Sequence, residues 1–313
     1  MIEAFQYGFY VLRDAVKARE VVAPDARVSA GEEQKTRNPL VTFAAMGFVV
    51  LIVICIGIAV WLRTSGDDSP TPSQPIATET AHPTSGPKPG SSGDSANEGL
   101  GTPTIDRLGR RVDVPKWIGG WALPQESIER GPFNRAVAVD PPAGMMWQKV
   151  NDGAIVPFST SDGPIAVDGL TAIGFAHTPQ GAALAAWQIV SRIAATNNET
   201  AQGIYDRQVV MTADQRAQVN KDLAAQGPSY RGLSSTALSY MTQADAFRIR
   251  DYADDFAIIE FATPAEKADA STPQWMTTRL LTTWEGGDWK LRFPETLADP
   301  TGSTTDLSGW TRW

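Results

Sequence analysis

The sequence predicts an α+β domain carried on a single membrane-spanning helix. Three observations lead there. Residues 40–62 read LVTFAAMGFVVLIVICIGIAVWL, without one charged side chain. The next 50 or so residues are dominated by Pro, Ser, Thr and Gly. Beyond them, two helix signals precede a run of segments with period-two alternation, the order expected when helices cover one face of a curved antiparallel sheet. The expected divisions are a cytoplasmic tail with a short amphipathic helix at 1–38, a transmembrane helix at 39–63, a disordered linker at 64–115 and an extracytoplasmic domain at 116–313.

The tail places Ile2, Phe5, Phe9, Leu12 and Val16 at alternating steps of three and four, which puts them on one face of a helix. That face can rest on the membrane surface, or it can dock a cytoplasmic partner through Phe5, Phe9 and Leu12.

A helix rises 1.5 Å per residue, so about 20 apolar residues cross a hydrocarbon core of ~30 Å. The apolar core of a cleaved signal peptide is shorter, about 7–15 residues, and lies near the N-terminus. Here the apolar run is longer and begins after residue 39. Arg27, Lys35 and Arg37 precede it; after Arg63 no Lys or Arg appears until Lys88, and Asp67 and Asp68 intervene. Positive flanking charge stays inside, so the expected protein is single-pass in the cell membrane, with the N-terminus cytoplasmic and the large domain outside. The one cysteine, Cys55, lies in the span, so no disulfide framework supports the fold.

The linker has almost nothing large to bury, and His82 within it is expected to be solvated. Fifty flexible residues reach roughly 40 Å, and roughly 150 Å if extended as polyproline. O-glycosylation of this Ser/Thr/Pro stretch is an alternative use of it.

The outer domain carries 16 Lys+Arg against 22 Asp+Glu, or −6 of the chain's net −8. Such a surface repels phosphate backbones, which argues against direct nucleic-acid binding by this domain. Residues 116–176 suggest small strands and loops, including a hairpin around Asn151-Asp152-Gly153. Thr178 fits an N-cap and Pro179 the first helical position, opening a helix to about Ala195. Ala182, Ala186, Ile189, Val190 and Ile193 form its apolar stripe, widened by Trp187, and Gly181 with its alanines permits close approach. His177 precedes the cap as a packed or hydrogen-bonded side chain. Residues 199–210 can continue as helix. Thr212 and Gln215 have capping-box spacing, and Gly227-Pro228 ends that second helix. From Ala246 the period becomes two: FRIRDY and FAIIEFATP read as strands joined at Ala253-Asp254-Asp255.

The last hairpin turns on Gly286-Gly287, which supply the positive φ of a primed turn. Its register sets Glu285 against Asp288, Trp284 against Trp289, Thr282 against Leu291 and Leu280 against Phe293. Trp284, Trp289, Leu280 and Phe293 then share a buried face, with Thr283, Lys290 and Arg292 on the other. Glu285 and Asp288 form a like-charge pair, tolerable at an exposed turn.

Chemistry is sparse. The outer domain has one histidine, His177, and no cysteine. That excludes a cysteine nucleophile and an ordinary His/Cys zinc site. A Ser-His-Asp triad would have to use His177, and no Gly-x-Ser-x-Gly elbow is present. Asp251, Asp254, Asp255 and Glu260 match no EF-hand spacing and read as a solvated turn. No catalytic, cofactor-binding or metal-binding residue is assigned. Trp310 and Trp313, in the terminal SGWTRW, either pack on the domain or enter a partner, and they are the domain's candidate partner contacts.

The helix pair followed by the Trp284–Trp289 hairpin resembles the nuclear-transport-factor-2-like cone. Residues 162–193, DGPIAVDGLTAIGFAHTPQGAALAAWQIVSRI, resemble a stretch of membrane-anchored accessory proteins of conjugative elements from high-GC Gram-positive bacteria, with Gly-Phe-Ala-His-Thr-Pro-Gln-Gly-Ala the distinctive core. The layout is similar to VirB8-type components of type IV secretion systems. These resemblances imply a non-enzymatic scaffold or channel-associated component of a cell-envelope assembly for conjugative DNA transfer. Its partners would be the membrane, other envelope or transfer-machinery proteins, and further copies of itself if it is a homo-oligomer. The alternative is an extracytoplasmic ligand-binding or sensing module that uses the cone's cavity. A cavity lined by Trp and Phe favours the second reading; a filled interior with exposed apolar surface favours the first.

Overall fold

Short paired strands come first, helices next and long strands last, in the order the periodicity predicts. The computed structural model describes residues 99–151, 153–265, 273–294 and 301–313. The tail with Phe5, Phe9 and Leu12, the apolar run at 40–62 and the linker up to residue 98 lie outside the described residues. Among the described residues no helix is long and apolar enough to cross a membrane.

In chain order the strands before the helices are β1 Thr104–Ile105, β2 Arg111–Val112, β3 Met146–Val150, β4 Ala154–Phe158, β5 Ala166–Asp168 and β6 Thr171–Ile173. They pair as three two-stranded antiparallel sheets. The β3–β4 connection falls on the expected Asn151–Gly153 segment, with Val150 opposite Ala154 and Asn151 at φ 49°. Then follow α1 Pro179–Ala195, α2 Asn198–Gln208, β7 Val209–Val210, α3 Ala213–Gln226 and α4 Ser235–Leu238. Last come β8 Ala246–Ala253, β9 Phe256–Pro264, β10 Trp275–Glu285, β11 Asp288–Arg292, β12 Thr301–Thr304 and β13 Thr311–Arg312. The main sheet has seven strands in the order β13-β8-β9-β10-β11-β7, with β12 paired to β10. Only the β11–β7 pair in it is parallel. The fold is α+β.

The caps are those the sequence announces. Thr178 accepts the Gly181 N–H, and Pro179 opens α1. Thr212 and Gln215 form both halves of a capping box, and Gly227, at φ 86°, ends α3. The last hairpin has the expected register from Glu285–Asp288 to Thr282–Leu291. Leu280 and Phe293 are both buried, as are Trp289 and Leu291. At roughly 25 cal/mol per Å², each fully buried side chain of this size contributes about 1.5–3 kcal/mol before entropy is counted.

Four expectations need correction. The first concerns α1. The sequence suggested a helix with one apolar stripe, yet α1 is buried almost all round, including Gln180, Gln188, Ser191 and Arg192. One side packs on the main sheet, with Phe261 and Leu291. The other side is covered by the β3–β4 hairpin and α4, with Val156 and Leu238. The helix is therefore a middle layer, and its small residues allow that approach.

The second correction is to the linker, which was drawn to residue 115. From Gly99 the chain is already folded: Leu100 pairs with Pro115, and Val112 is fully buried. Polar anchors hold this segment where apolar ones are few. Asp106 accepts from the Leu108 and Arg110 N–H groups, and Arg110 reaches Asp245 at 2.6 Å and the Gln243 carbonyl at 2.7 Å.

Third, Asp288 is not a solvated partner of Glu285. Its carboxylate accepts the Gly174 and Phe175 N–H groups at 2.8 and 3.0 Å, which ties the hairpin to the loop before α1. Burial pushes the Asp288 carboxyl above its ordinary pKa, opposed by three backbone donors and Lys290.

Fourth, Trp310 and Trp313 turn inward. Trp310 is 7% exposed and packs with Leu307, Ala246 and Ala262. Trp313 lies 4.4 Å from the Phe247 ring and 5.6 Å from that of Trp147. Both aromatics are used by the domain's own core, because the chain end returns as β13 against β8.

Candidate functional site

The segment from Gly174 to Gly181 is the most distinctive in the sequence, and the structure assigns a local task to each of its residues. Gly174 has φ 73°, and a Cβ there would stand 2.2 Å from Ile165. Phe175 is core. The Ala176 carbonyl accepts the Trp289 indole N–H at 3.0 Å. Thr178 caps α1 and also donates its hydroxyl to Asp162 at 2.7 Å. Gln180 donates to the Asp140 carbonyl.

Gly181 has the tightest requirement. A Cβ on it would sit 2.0 Å from the Ala176 carbonyl oxygen, and backbone cannot yield as a flexible side chain can. Gly181→Ala is expected to cost about 2 kcal/mol, in the range of overpacked sites. Thermal unfolding should show Tm falling by roughly 4–8 °C for a domain of this size; an unchanged Tm would contradict the close approach.

His177 has the exposed position in this turn. Its ring stacks on Trp284 at 4.0 Å and 11°, and its Nε2 hydrogen-bonds the Asp254 carbonyl. Tyr252 donates its hydroxyl to the His177 carbonyl at 3.3 Å and meets Phe133 ring to ring at 5.6 Å. Trp284 in turn packs edge-on against buried Trp289 at 5.3 Å. Burial and nearby Asp254 push the Tyr252 hydroxyl above its ordinary pKa. The turn is thus clamped to the β8–β9 and β10–β11 ends by aromatic contact, as a packed and hydrogen-bonded histidine requires.

Chemically this geometry holds a shape. The imidazole meets a carbonyl, whereas a general base would need a carboxylate to orient it and a nucleophile to deprotonate. The hydroxyls of Ser161 and Thr178 are engaged with Asp162. Among the described residues no group of three His, Cys, Asp or Glu side chains could hold a metal. Asp254 and Asp255 lie at the β8–β9 turn, while Asp251 lies within β8 and Glu260 within β9, so the acidic residues weighed as a calcium set are not gathered in one loop.

Two charged groups, Asp162 and Arg192, escaped sequence reasoning, and a third, Glu260, read there as part of a solvated turn, is buried within β9. Asp162 is fully buried and accepts both Nη atoms of Arg130, at 2.9 and 2.7 Å. Arg192 is fully buried with no acid beside it. Glu260, 5% exposed, stands between Arg248 at 2.6 Å and Arg279 at 2.6 Å, with Arg250 at 4.0 Å. Cross-strand spacing could have paired Arg248 with Glu260 once the β8–β9 hairpin was drawn. Nothing local marks the other two.

Desolvation pushes the Glu260 carboxyl up, but hydrogen bonds from Arg279 and Arg248 and the charge of Arg250 outweigh it and leave the pKa lowered. The unfolded chain therefore binds more protons than the folded one just below the ordinary value of 4.5. This group's stabilisation is full above that value and is lost as pH falls through the lowered pKa. Glu260→Gln is expected to cost about 1–2 kcal/mol at neutral pH, discounted because its arginine partners are solvated. The gap in Tm between the two proteins should narrow as pH falls below the ordinary value of 4.5; a constant gap would refute the assignment.

Comparison with known proteins gives two matches. Residues 113–312 match the family described as Domain of unknown function (DUF8175). Residues 1–37 match the one described as Domain of unknown function (DUF8176). No curated protein and no solved structure matches the chain. Since the first match spans well over half of the 313 residues and takes in the aromatic turn, the main sheet and all three buried charged groups, the chain belongs to the DUF8175 family.

Proposed function

We propose that this protein is a non-enzymatic, single-pass membrane protein whose outer domain makes protein contacts in a cell-envelope assembly, with conjugative DNA transfer the process its sequence resembles. The observation that carries the reading is the filled interior. Where a nuclear-transport-factor-2-like cone would open a cavity, the helix-covered side of the sheet holds Trp289, Phe247, Phe261 and Phe293 at 0–1% exposure. A ligand-binding or sensing role needs a concave apolar site with a few polar groups, and this packing supports assembly in preference to it. Contact surface is available elsewhere. Ile105, Val137 and Ile165 are 58–67% exposed, all in the loop-rich part before α1. The charge-free run at 40–62 and its flanking basic residues support the membrane placement.

The test is photo-cross-linking in intact membranes from positions 105 and 137 of the full chain. Expected products are adducts with other envelope or transfer-machinery proteins. Recovery of the uncross-linked protein alone would count against the scaffold reading, and saturable binding of a small molecule to the folded domain would favour the sensing one.

A further inference from the structure

The face of the main sheet turned away from α1 has a charge pattern that none of the roles above uses. Directly opposed residues of antiparallel strands share a face, so the registers define rows across β8, β9 and β10. One row is Arg248–Glu260–Arg279. The next is Asp251–Ile258–Leu281, and the next Ala253–Phe256–Thr283. Beyond them lie the two turns at the same end of the sheet, with Asp254, Asp255 and Glu285 exposed. Arg250, 44% exposed, flanks the first row, and Lys290 stands beside Thr283. At the opposite end Ala246, Ala262 and Trp275 lie under Leu307 and Trp310, so the C-terminal segment covers the face only as far as the Arg248 row.

Among the described residues the uncovered face is therefore dipolar. Three arginines against Glu260 mark one end, and Asp254, Asp255 and Glu285, with Lys290 near them, the other, separated by about 20 Å along the strands at ~3.4 Å per residue. Between them Phe256, Ile258 and Leu281 form a half-buried apolar strip, with Asp251 at its β8 side.

We propose that this face pairs with the same face of a second copy of this chain. A two-fold axis lying between the faces and running across the strands reverses one copy. It sets the arginine row of each over the acidic turns of the other and brings the apolar strips together. This is an isologous, self-complementary contact. Stacking the copies with strands aligned would bring like charges together, so the pattern also selects the orientation. A phosphate polymer would suit the arginine row but would be repelled by the acidic turns. The partner must itself be dipolar over the same ~20 Å, and a second copy meets that condition by symmetry.

Four strands at ~4.8 Å spacing and ~20 Å of length give roughly 400 Å², about half the usual area per partner. The pair is accordingly weak and is best read by cross-linking. The inference does not depend on the membrane placement or on any partner of the assembly, so it can fail while those stand, and the reverse.

The experiment uses the full chain with Cys55→Ser and single cysteines at Leu281→Cys or Thr283→Cys, with Val137→Cys as a distant reference, treated with a short bis-maleimide. At 281 or 283 the dimer fraction should exceed that at 137 by roughly fivefold and fall as salt screens the ends. Asp255→Lys should cut it several-fold, and adding Arg250→Glu to that variant should restore it. No excess of dimer at both 281 and 283, in variants whose thermal unfolding shows them folded, would overturn the proposal. So would a dimer that is indifferent to both charge reversals, or polyphosphate binding by the face without any dimer.

Discussion

Arg192→Ala is expected to destabilise the domain by about 3–5 kcal/mol, combining a cavity with orphaned acceptors. Arg192 is fully buried in the last turn of α1. Its Nε donates to Gln188 Oε1 at 2.8 Å, and its Nη1 to the carbonyls of Gly119 and Leu170 at 2.9 and 3.1 Å. No carboxylate pairs with it, and Nη2 finds no hydrogen-bond acceptor. Carbonyl dipoles alone hold this charge, and desolvation pulls its pKa down to about 9. Below that pH both folded and unfolded chains carry the proton, so the cost of burying the charge is constant at neutrality. From about pH 9 up to the ordinary arginine range the unfolded chain binds the proton and the folded one does not, so this group's contribution to stability rises with pH there.

A second variant separates the two parts of the effect. Arg192→Met removes the buried charge and fills much of the space, leaving the carbonyls unpaired. It should be less harmful than Arg192→Ala by about 1 kcal/mol or more. Denaturant midpoints give both values. Hydrogen exchange adds a positional readout, since the carbonyls belong to loops around Gly119 and Leu170, and those loops should exchange faster in either variant. A loss below about 1 kcal/mol for the alanine variant would mean that the guanidinium does not tie these segments to α1.

The same residue shows where sequence reasoning stops. Rules that act within a few residues transferred directly. The Thr178-Pro179 start, the Thr212/Gln215 box and the Gly286-Gly287 turn are set by backbone groups of the same segment, and each is where spacing placed it. Pattern also gave the β8–β9 hairpin, because one buried face forces period two. What failed depends on the rest of the chain. A stripe of alanines says that something can approach α1, but not that sheets approach from two sides. Nothing near Arg192 in the sequence marks it as interior, and it is fully buried. The stretch from Gly99 looks like linker because its anchors are hydrogen bonds, with Arg110 reaching residues more than 130 positions away. Asp288 looked like a turn acid because its donors, Gly174 and Phe175, are equally remote.

For function the asymmetry has a consequence. His177, the one residue that composition singled out, is used for packing against Trp284, and the charge with least local explanation lies in the core and on the outer sheet.

Asp162→Ala is expected to cost about 3–5 kcal/mol, the scale for breaking a buried ion pair from one side. The carboxylate is fully buried, while Arg130 is 17% exposed at its side chain. Asp162 also accepts the hydroxyls of Ser161 at 2.5 Å and Thr178 at 2.7 Å, and its own N–H donates to Ser159 Oγ at 3.2 Å. One side chain therefore joins the loop that carries Arg130, the turn after β4 and the cap of α1. Without it the guanidinium can turn toward water, but the two hydroxyls remain inside. Arg130→Ala leaves the opposite residue, a buried carboxylate that keeps two hydroxyl donors, so it should cost less, about 2 kcal/mol. The double variant should fall short of the sum by about 1–3 kcal/mol if the two act as a pair. Asp162→Asn keeps the shape and the Thr178 contact while losing the charge, and should fall between wild type and alanine. Urea unfolding of the wild type and the four variants decides the matter: additive losses would mean that Arg130 and Asp162 stabilise the turn independently, and equal losses for asparagine and alanine would mean that charge, rather than the hydroxyl network, secures the start of α1.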